Sequence, residues 1–413
     1  MTPAENYNDI YITEITINKV RHLENISIKI ADDCKKHLII TGKNGSGKTS
    51  LLLQLQMFID QQHYLKVNDF KTKQIAIIDE CSSKILSSKN DEAANILKIN
   101  IENALEKLKN TAAYLHIHNS SLINDSLTHG KLIIDFEQFS RVNKQEKVDG
   151  PKNIEIRDIK QPITVLSTVF SQYLTNQRMS LLNAREDNNM VEYQNLKNWF
   201  ANIESIFREV YEDEGLTLHF KNETKVFEIV LSNREAFTIE NMSAGFAAYF
   251  KIITELLLRM EFLGAGNYNI PGICFIDEIE THLHVDLQGK ALPMLTKFFP
   301  NIQFIVTTHS PFVVNSLSNA VVFDLENKTR IEDPSKYSTE VISKVYFKAN
   351  KFSAELKDKL NRLEKLVDLK DKTNENRSEI DRLMEYVETI PTMLDPEIKS
   401  KILDIKLKAI LDD

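Results

Sequence analysis

Apolar and polar residues alternate along Tyr11-Ile12-Thr13-Glu14-Ile15-Thr16-Ile17 and again along Ile26-Ser27-Ile28-Lys29-Ile30. That is the period of a half-buried strand. His37-Leu38-Ile39-Ile40-Thr41 is short and mostly apolar, and it predicts a third, buried strand. From Ser50 to Asp60 the apolar positions recur at helical spacing. The stretch from Gln61 to about Ser126 is polar and helix-rich. Its segment Asp91 to Ala113 carries Ala94, Ile96, Leu97, Ile101, Leu105 and Leu108 at helical intervals, which predicts an inserted helical arm.

Strand signals return at Lys131 to Phe136, Asn153 to Ile156 and Ile163 to Leu166. A long helix is expected from about Asn189 to Tyr211, then two strands at Leu216 to Phe220 and Val226 to Leu231. An apolar helix, Ala247 to Leu263, is closed by Gly264-Ala265-Gly266, a glycine stop signal. Gly272-Ile273-Cys274-Phe275-Ile276 is continuously apolar and reads as a central parallel strand buried on both faces. Gln303 to Thr308 and Ala320 to Leu325 read likewise. Strands alternating with helices make the class α/β.

Beyond about Lys348 the pattern changes. Leu356, Leu360, Leu363 and Val367 form one helical stripe and Ile380, Leu383, Val387 and Ile390 another, with a polar turn at 371–376 between them. This predicts a helical hairpin. Four regions follow: 1–60, an inserted 61–128, the remainder of the core at 129–347, and a helical tail at 348–413.

The chemistry concentrates where the third strand ends. Gly42-Lys43-Asn44-Gly45-Ser46-Gly47-Lys48-Thr49 fits G-x-x-x-x-G-K-[ST]. It stands between a strand and a helix, the context a phosphate loop needs. The glycines let backbone N–H groups turn inward around an anion, and the helix starting near Ser50 adds its positive end. Lys48 is expected on the terminal phosphates and the Thr49 hydroxyl on Mg²⁺.

Two acids, Asp277-Glu278, end the apolar strand at 272–276. Carboxylates at the mouth of a buried strand are costly unless solvated or serving a cation. Beside a phosphate loop, Asp277 is expected to help hold Mg²⁺, and Glu278 to activate the attacking water. His282 and His284 read as a solvated turn, since no further Cys or His lies near to complete a metal site. Thr307-Thr308-His309-Ser310-Pro311 ends the next strand, with Ser310 as helix cap and Pro311 as first helical residue. His309 is thereby expected close to the terminal phosphate.

Bulk properties narrow the picture. A net charge of −8 excludes a global basic field, so any nucleic acid would meet a local patch. The tail cations Lys348, Lys351, Lys357, Lys359, Arg362 and Lys365 are interleaved with Glu355, Asp358 and Glu364, the pattern of a solvated helix. Apolar runs are strand-sized, as at Ile163 to Phe170, and fall short of the roughly 20 residues that span a bilayer. Three scattered cysteines, Cys34, Cys81 and Cys274, indicate no disulfide framework and favour a cytoplasmic location.

Taken together the motifs resemble ABC-type ATPases of the SMC-like and overcoming-lysogenization-defect group. Ile17-Asn18-Lys19-Val20-Arg21 resembles the opening strand and basic turn, Gly42 to Thr49 Walker A, and Met242-Ser243-Ala244-Gly245 a degenerate signature. Phe275-Ile276-Asp277-Glu278 resembles Walker B, Glu280 to His284 the D-loop, and Thr307 to Pro311 the switch-histidine loop. The stretch Ser310 to Ser316, the segment Ala320 to Leu325 and the helical tail are similar to the PtuA ATPases of Septu anti-phage systems, including those found with retrons.

The resemblance implies an ABC-type P-loop head with a mixed central sheet, a short helical insertion and a C-terminal helical hairpin. It implies ATP and Mg²⁺ as ligands. ATP would be bound by Arg21, Gly42, Lys43, Asn44, Gly45, Ser46, Gly47, Lys48, Thr49 and Ser50, by Gln172 as Q-loop residue, and by Ser243 and Gly245 from a second copy. Thr49 and Asp277 would hold the metal, with Glu278 and His309 catalytic. Implied partners are a second copy or a higher homo-oligomer joined by an ATP sandwich, a separate nuclease of the HNH type, and DNA or a retron nucleoprotein. No nuclease site is evident after the histidine loop, and no membrane partner is expected. A DNA-repair head that clamps duplex ends is the alternative. Ala244 and Phe246 depart from the usual signature, which implies slow turnover.

Overall fold

All five residues of His37–Thr41 are buried, as in a strand covered on both faces. The computed structural model describes residues 10–32, 34–64, 69–87, 91–109, 112–119, 122–138, 148, 150–152, 154, 167–264, 269–346, 354–369, 373–388, 403–405 and 407. In chain order the first elements are β1 (Tyr11–Val20), β2 (Leu23–Lys29), β3 (His37–Thr41), α1 (Lys48–Tyr64), α2 (Asp69–Ser87), α3 (Asp91–Lys109), β4 (Ala113–His118), α4 (Ile123–Thr128) and β5 (Ile133–Gln138). Then come α5 (Phe170–Glu186), α6 (Met190–Tyr211), β6 (Thr217–Lys221), β7 (Val226–Val230), β8 (Phe237–Thr238), α7 (Ala244–Gly264), β9 (Gly272–Asp277), α8 (Val285–Phe298), β10 (Ile302–Thr307) and α9 (Pro311–Val314). The last are β11 (Ala320–Asp324), β12 (Thr329–Glu332), α10 (Thr339–Tyr346), α11 (Ala354–Val367) and α12 (Asn374–Glu388).

Among the described residues three sheets form: β2-β1-β4, the six-stranded β12-β11-β3-β10-β9-β5, and β6-β7-β8. In the six-stranded sheet β11, β3, β10, β9 and β5 run parallel and only β12 is antiparallel. The class is α/β with a mixed central sheet.

Side-chain alternation along each strand divides the interior. Leu38, Ile40, Ile134, Phe275 and Phe323 face one core with α1 and the β2-β1-β4 sheet. Ile39, Cys274, Ile276, Phe304 and Val322 face the other, with α5, α6, α7 and α8. Gln303 joins two sheets: its Oε1 accepts from Ile12 N at 2.7 Å, and its Nε2 donates to Ile12 O at 2.9 Å and Lys36 O at 2.7 Å.

The inserted region is not helical throughout. Alongside α2 and α3 it carries β4, which pairs antiparallel with β1. Ala113-Tyr114-Leu115 pack inward there, and a strand satisfies the open edge of β1. The strands expected at 153–156 and 163–166 fall outside the described residues for most of their length.

Two compact units emerge, 1–347 and 348–413. In the second, Leu360, Leu363, Val367 and Ile405 are buried against Ile380, Leu383, Met384 and Tyr386. Arg362 is paired with Glu379 at 2.9 Å, and the Lys359 ammonium lies 3.6 Å from the Tyr386 ring centroid. Among the described residues no helix is long and apolar enough to cross a membrane.

Candidate nucleotide site

The loop leaving β3 turns in a way that side chains resist. Gly42, Gly45 and Gly47 have φ of 145°, 82° and 95°. Such angles belong to glycine. A Cβ on Gly42 would stand 2.6 Å from Ser46 Oγ, and one on Gly47 would stand 2.9 Å from Leu23 Cδ1. The loop therefore closes tightly on itself and on β2. Lys48 opens α1 and is buried, its Nζ donating to Gly42 O at 2.9 Å and Lys43 O at 3.2 Å. Ser46 Oγ is buried without a hydrogen-bond partner among the described residues. A cradle too narrow for side chains, an unsatisfied hydroxyl and a buried ammonium together fit a polyphosphate. Asn44 and Thr49 are exposed, and Ser50 is half-buried. Lys43 is paired with Glu326, just past β11, at 2.6 Å.

Burial pulls the Lys48 ammonium below its ordinary pKa, while Glu278, Glu280, Asp277 and Asp324 pull it back up. Those four acids set the field around the loop. Asp277 ends β9, where its Oδ1 accepts from Thr307 Oγ1 at 2.6 Å. Glu278 leaves the strand with φ 52°, and its N–H donates to Thr307 Oγ1 at 2.8 Å. Asp277 and Thr49 line one small cavity with Gln56 and Glu137. Of these, the Thr49 hydroxyl and the Asp277 carboxylate are oxygen donors of the kind that suits Mg²⁺; Glu137 is paired with Lys251, and Leu52, Leu53, Phe136 and Phe275 make up the rest of the wall.

His309 follows β10 on the next loop. Its imidazole is held below its ordinary pKa, first by burial and then by the Lys48 charge, against the pull of Glu278 and Asp277. The backbone sets this loop beside both motifs: Thr308 N donates to Ile40 O at 3.0 Å, and Thr307 O accepts from Ile279 N at 3.2 Å. Ser310 caps α9, accepting from Phe312 N at 3.2 Å, as its place before Pro311 predicts.

Arg21 occupies the turn between β1 and β2 with φ 54°. With Lys19, Ser50, Gln54, Gln56 and Met57 it lines an open cleft of about 540 Å³ beside α1.

Two groups of expected residues lie elsewhere. Gln172 is on α5, not on a loop after a strand, and its amide donates to Gly150 O at 2.8 Å and Asn176 Oδ1 at 3.0 Å. The register instead sets the backbone of Gln138, last residue of β5, opposite Asp277. The signal for it was the strand read at Lys131 to Phe136, which continues two residues further. Ser243 is exposed just before α7, on the opposite face of the central sheet from α1. Gly245 abuts the chain after Glu278: a Cβ there would meet His282 O at 2.4 Å. Phe246 stacks on Tyr211, with ring centroids 4.3 Å apart. That inward turn accounts for an aromatic residue where the signature usually has a polar one.

The helix that follows Ser243, α7, is bolted to β5 by a buried ion network. Arg259 pairs with Asp135 and Glu255, both at 3.1 Å, and Lys251 pairs with Glu137 at 2.9 Å. Burial and the neighbouring Asp135 push the Glu137 carboxyl up to about 8. The oxygens of Asp135, Glu137 and Glu255 lie within 4.8 Å of one another. Two cations already serve them, so the cluster reads as an internal ion network.

A family model described as "AAA domain, putative AbiEii toxin, Type IV TA system" matches residues 38–315. The chain belongs to this family. The match begins at Leu38 in β3 and ends at Asn315, past the His309 loop, so it takes in every motif of the site except Arg21. Among curated relatives, the "Retron Vc95 probable ATPase" of Vibrio cholerae is 22% identical over 406 residues, covering 79% of each chain. The "Septu protein PtuA" of Bacillus mycoides is 23% identical over 329 residues, covering 78% of this chain and 41% of the relative. The chain thus spans less than half of that relative's length. Among solved structures, an SMC head bound to the C-winged helix domain of ScpA is similar over 78% of this chain and 96% of that one, at 13% identity and a TM-score of 0.35.

Proposed function

We propose that this chain binds and slowly hydrolyses ATP as the regulatory ATPase of an anti-phage defence complex, controlling a separate nuclease of the HNH type. One observation carries the ATP reading: a glycine cradle holds the buried Lys48 ammonium and the Ser46 hydroxyl, and Thr49 at its end lines one cavity with Asp277. Likeness to the retron ATPase and to the Septu protein supports the defence setting.

In this reading Gly42 to Ser50 grip the phosphates, with Lys48 on the terminal ones. Arg21 flanks them across the open cleft. Thr49 and Asp277 hold Mg²⁺, which would neutralise charge on the phosphates. Glu278 takes the proton of the attacking water, and His309 donates to the phosphoryl oxygen where charge builds. Ser243 and Gly245, on the far face of the sheet, serve the site of a second copy, so the working unit is a two-fold dimer with two sites. Gln172 bonds to its own surroundings, and Gln138 is the better placed Q-loop residue.

Lys48→Ala is expected to abolish ATP binding in a titration with a fluorescent analogue. Glu278→Gln is expected to trap an ATP-bound dimer, read as mass by light scattering. Unchanged turnover in Glu278→Gln would remove it as the base. Co-purification with neighbouring gene products, with and without ATP, tests the nuclease partner. Recovery of the chain alone under both conditions would count against it.

A further inference from the structure

Glu280 stands three residues beyond the metal-binding acid, outside the set assigned to nucleotide or water. Its carboxylate is half-buried and both oxygens are engaged. Oε2 accepts from Thr308 Oγ1 at 2.6 Å, and Oε1 accepts from the backbone N–H of His309. Thr308 Oγ1 accepts in turn from Ser310 N at 2.9 Å. Thr308 N donates to Ile40 O at 3.0 Å, at the end of the strand that delivers the phosphate loop.

The backbone leaves β10 at Thr307, so the His309 N–H has no strand to pair with. A buried N–H without an acceptor is costly, and the Glu280 carboxylate is the acceptor supplied. Each of its two oxygens is engaged in this task, one by the Thr308 hydroxyl and one by the His309 N–H. Its length also matters. Glutamate spans from one loop to the other and accepts twice, whereas glutamine keeps one acceptor oxygen for the His309 N–H and turns its amide toward the Thr308 hydroxyl, which already accepts from Ser310 N and would lose its own acceptor. From the other side, the segment Glu280 begins is pressed by Gly245 through the His282 carbonyl. The segment that follows Glu280 thus runs past the start of α7, while Glu280 itself reaches the loop that carries the histidine.

We propose that Glu280 is a positioning residue for His309, fixing the height of the imidazole over the terminal phosphate through the His309 backbone and Thr308. The inference rests on the ATPase reading above, and deepens it.

The test uses the full chain with mant-ATP for binding and phosphate release for turnover. Glu280→Gln is expected to bind mant-ATP within about twofold of the parent while its kcat falls more than about tenfold, a loss confined to the reacting state. Thr308→Val, which removes one of the two bonds, should lose about three- to fivefold. Adding Glu280→Gln to His309→Ala should lower turnover no further, since both act through one group. Losses that multiply in the double variant would overturn the proposal, as would parental turnover in Glu280→Gln. If Glu280→Gln does not fold, Thr308→Val alone and combined with His309→Ala decides by the same rule. A parent chain that takes up no mant-ATP would instead refute the ATPase reading. Parental turnover in His309→Ala would leave ATP hydrolysis standing but refute both the role of His309 and that of Glu280.

Discussion

Gly245 and Ser243 are two residues apart and answer to different constraints. Ser243 is exposed, so its replacement by alanine should leave stability unchanged. Gly245 has the His282 carbonyl where a Cβ would go, at 2.4 Å, and His282 itself is held at φ 68°. Gly245→Ala is therefore expected to lose about 1–3 kcal/mol, read by thermal or urea unfolding, as overpacking does. Gly42 to Thr49, Asp277-Glu278 and His309 were all legible as text, because each sits at a strand end where the apolar run stops. The burden on Gly245 was not, since it depends on a contact with a segment reached only through the fold. His37 supplies a second residue-scale prediction. It is buried, its Nδ1 accepts from Phe304 N at 3.0 Å, and burial lowers its pKa from 6.5 to about 4. The unfolded chain takes up this proton first as pH falls. Stability is thus full above 6.5 and is lost progressively as pH falls through about 4, by about 3 kcal/mol in total. Unfolding free energy followed across that window should show the slope in the parent and a flatter one in His37→Gln.

At the scale of elements, α7 and β5 are joined by charge as well as by apolar packing. Arg259 is 2% exposed, and both carboxylates it serves are 1% exposed. Arg259→Leu would take from the buried Asp135 and Glu255 the cation paired with both and should cost about 3–5 kcal/mol. Arg259→Leu combined with Asp135→Asn and Glu255→Gln should recover much of that loss; melting temperatures of the two variants decide. Recovery would be absent if Arg259 acted by shape alone. This network was hidden in the sequence, because Asp135 and Glu137 point to one face of a strand whose partner helix lies more than a hundred residues away. The strand itself was legible, but its end was not: apolar residues stop at Phe136, while Glu137 and Gln138 continue the ladder on β9. β4 was lost for a related reason. Six residues at the edge of a helical stretch give too short an alternation to outweigh the helix pattern before them.

For the molecule as a whole, the order β12-β11-β3-β10-β9-β5 decides what the chain can do in pieces. β3 feeds the phosphate loop, and both its neighbours come from the far end of the core, β10 at Ile302–Thr307 and β11 at Ala320–Asp324. A fragment ending before residue 300 would therefore bind no ATP and would aggregate when expressed, whereas 1–347 should remain soluble and bind mant-ATP; sedimentation and titration check both. The same arrangement bears on how the protein is made. On the ribosome His37–Thr41 emerges early and then waits for partners not yet translated. At roughly 5–20 residues per second that wait is on the order of tens of seconds. A nascent chain with Leu38, Ile39 and Ile40 bare for so long is a natural client for a holdase, and the nucleotide pocket is among the last features to exist.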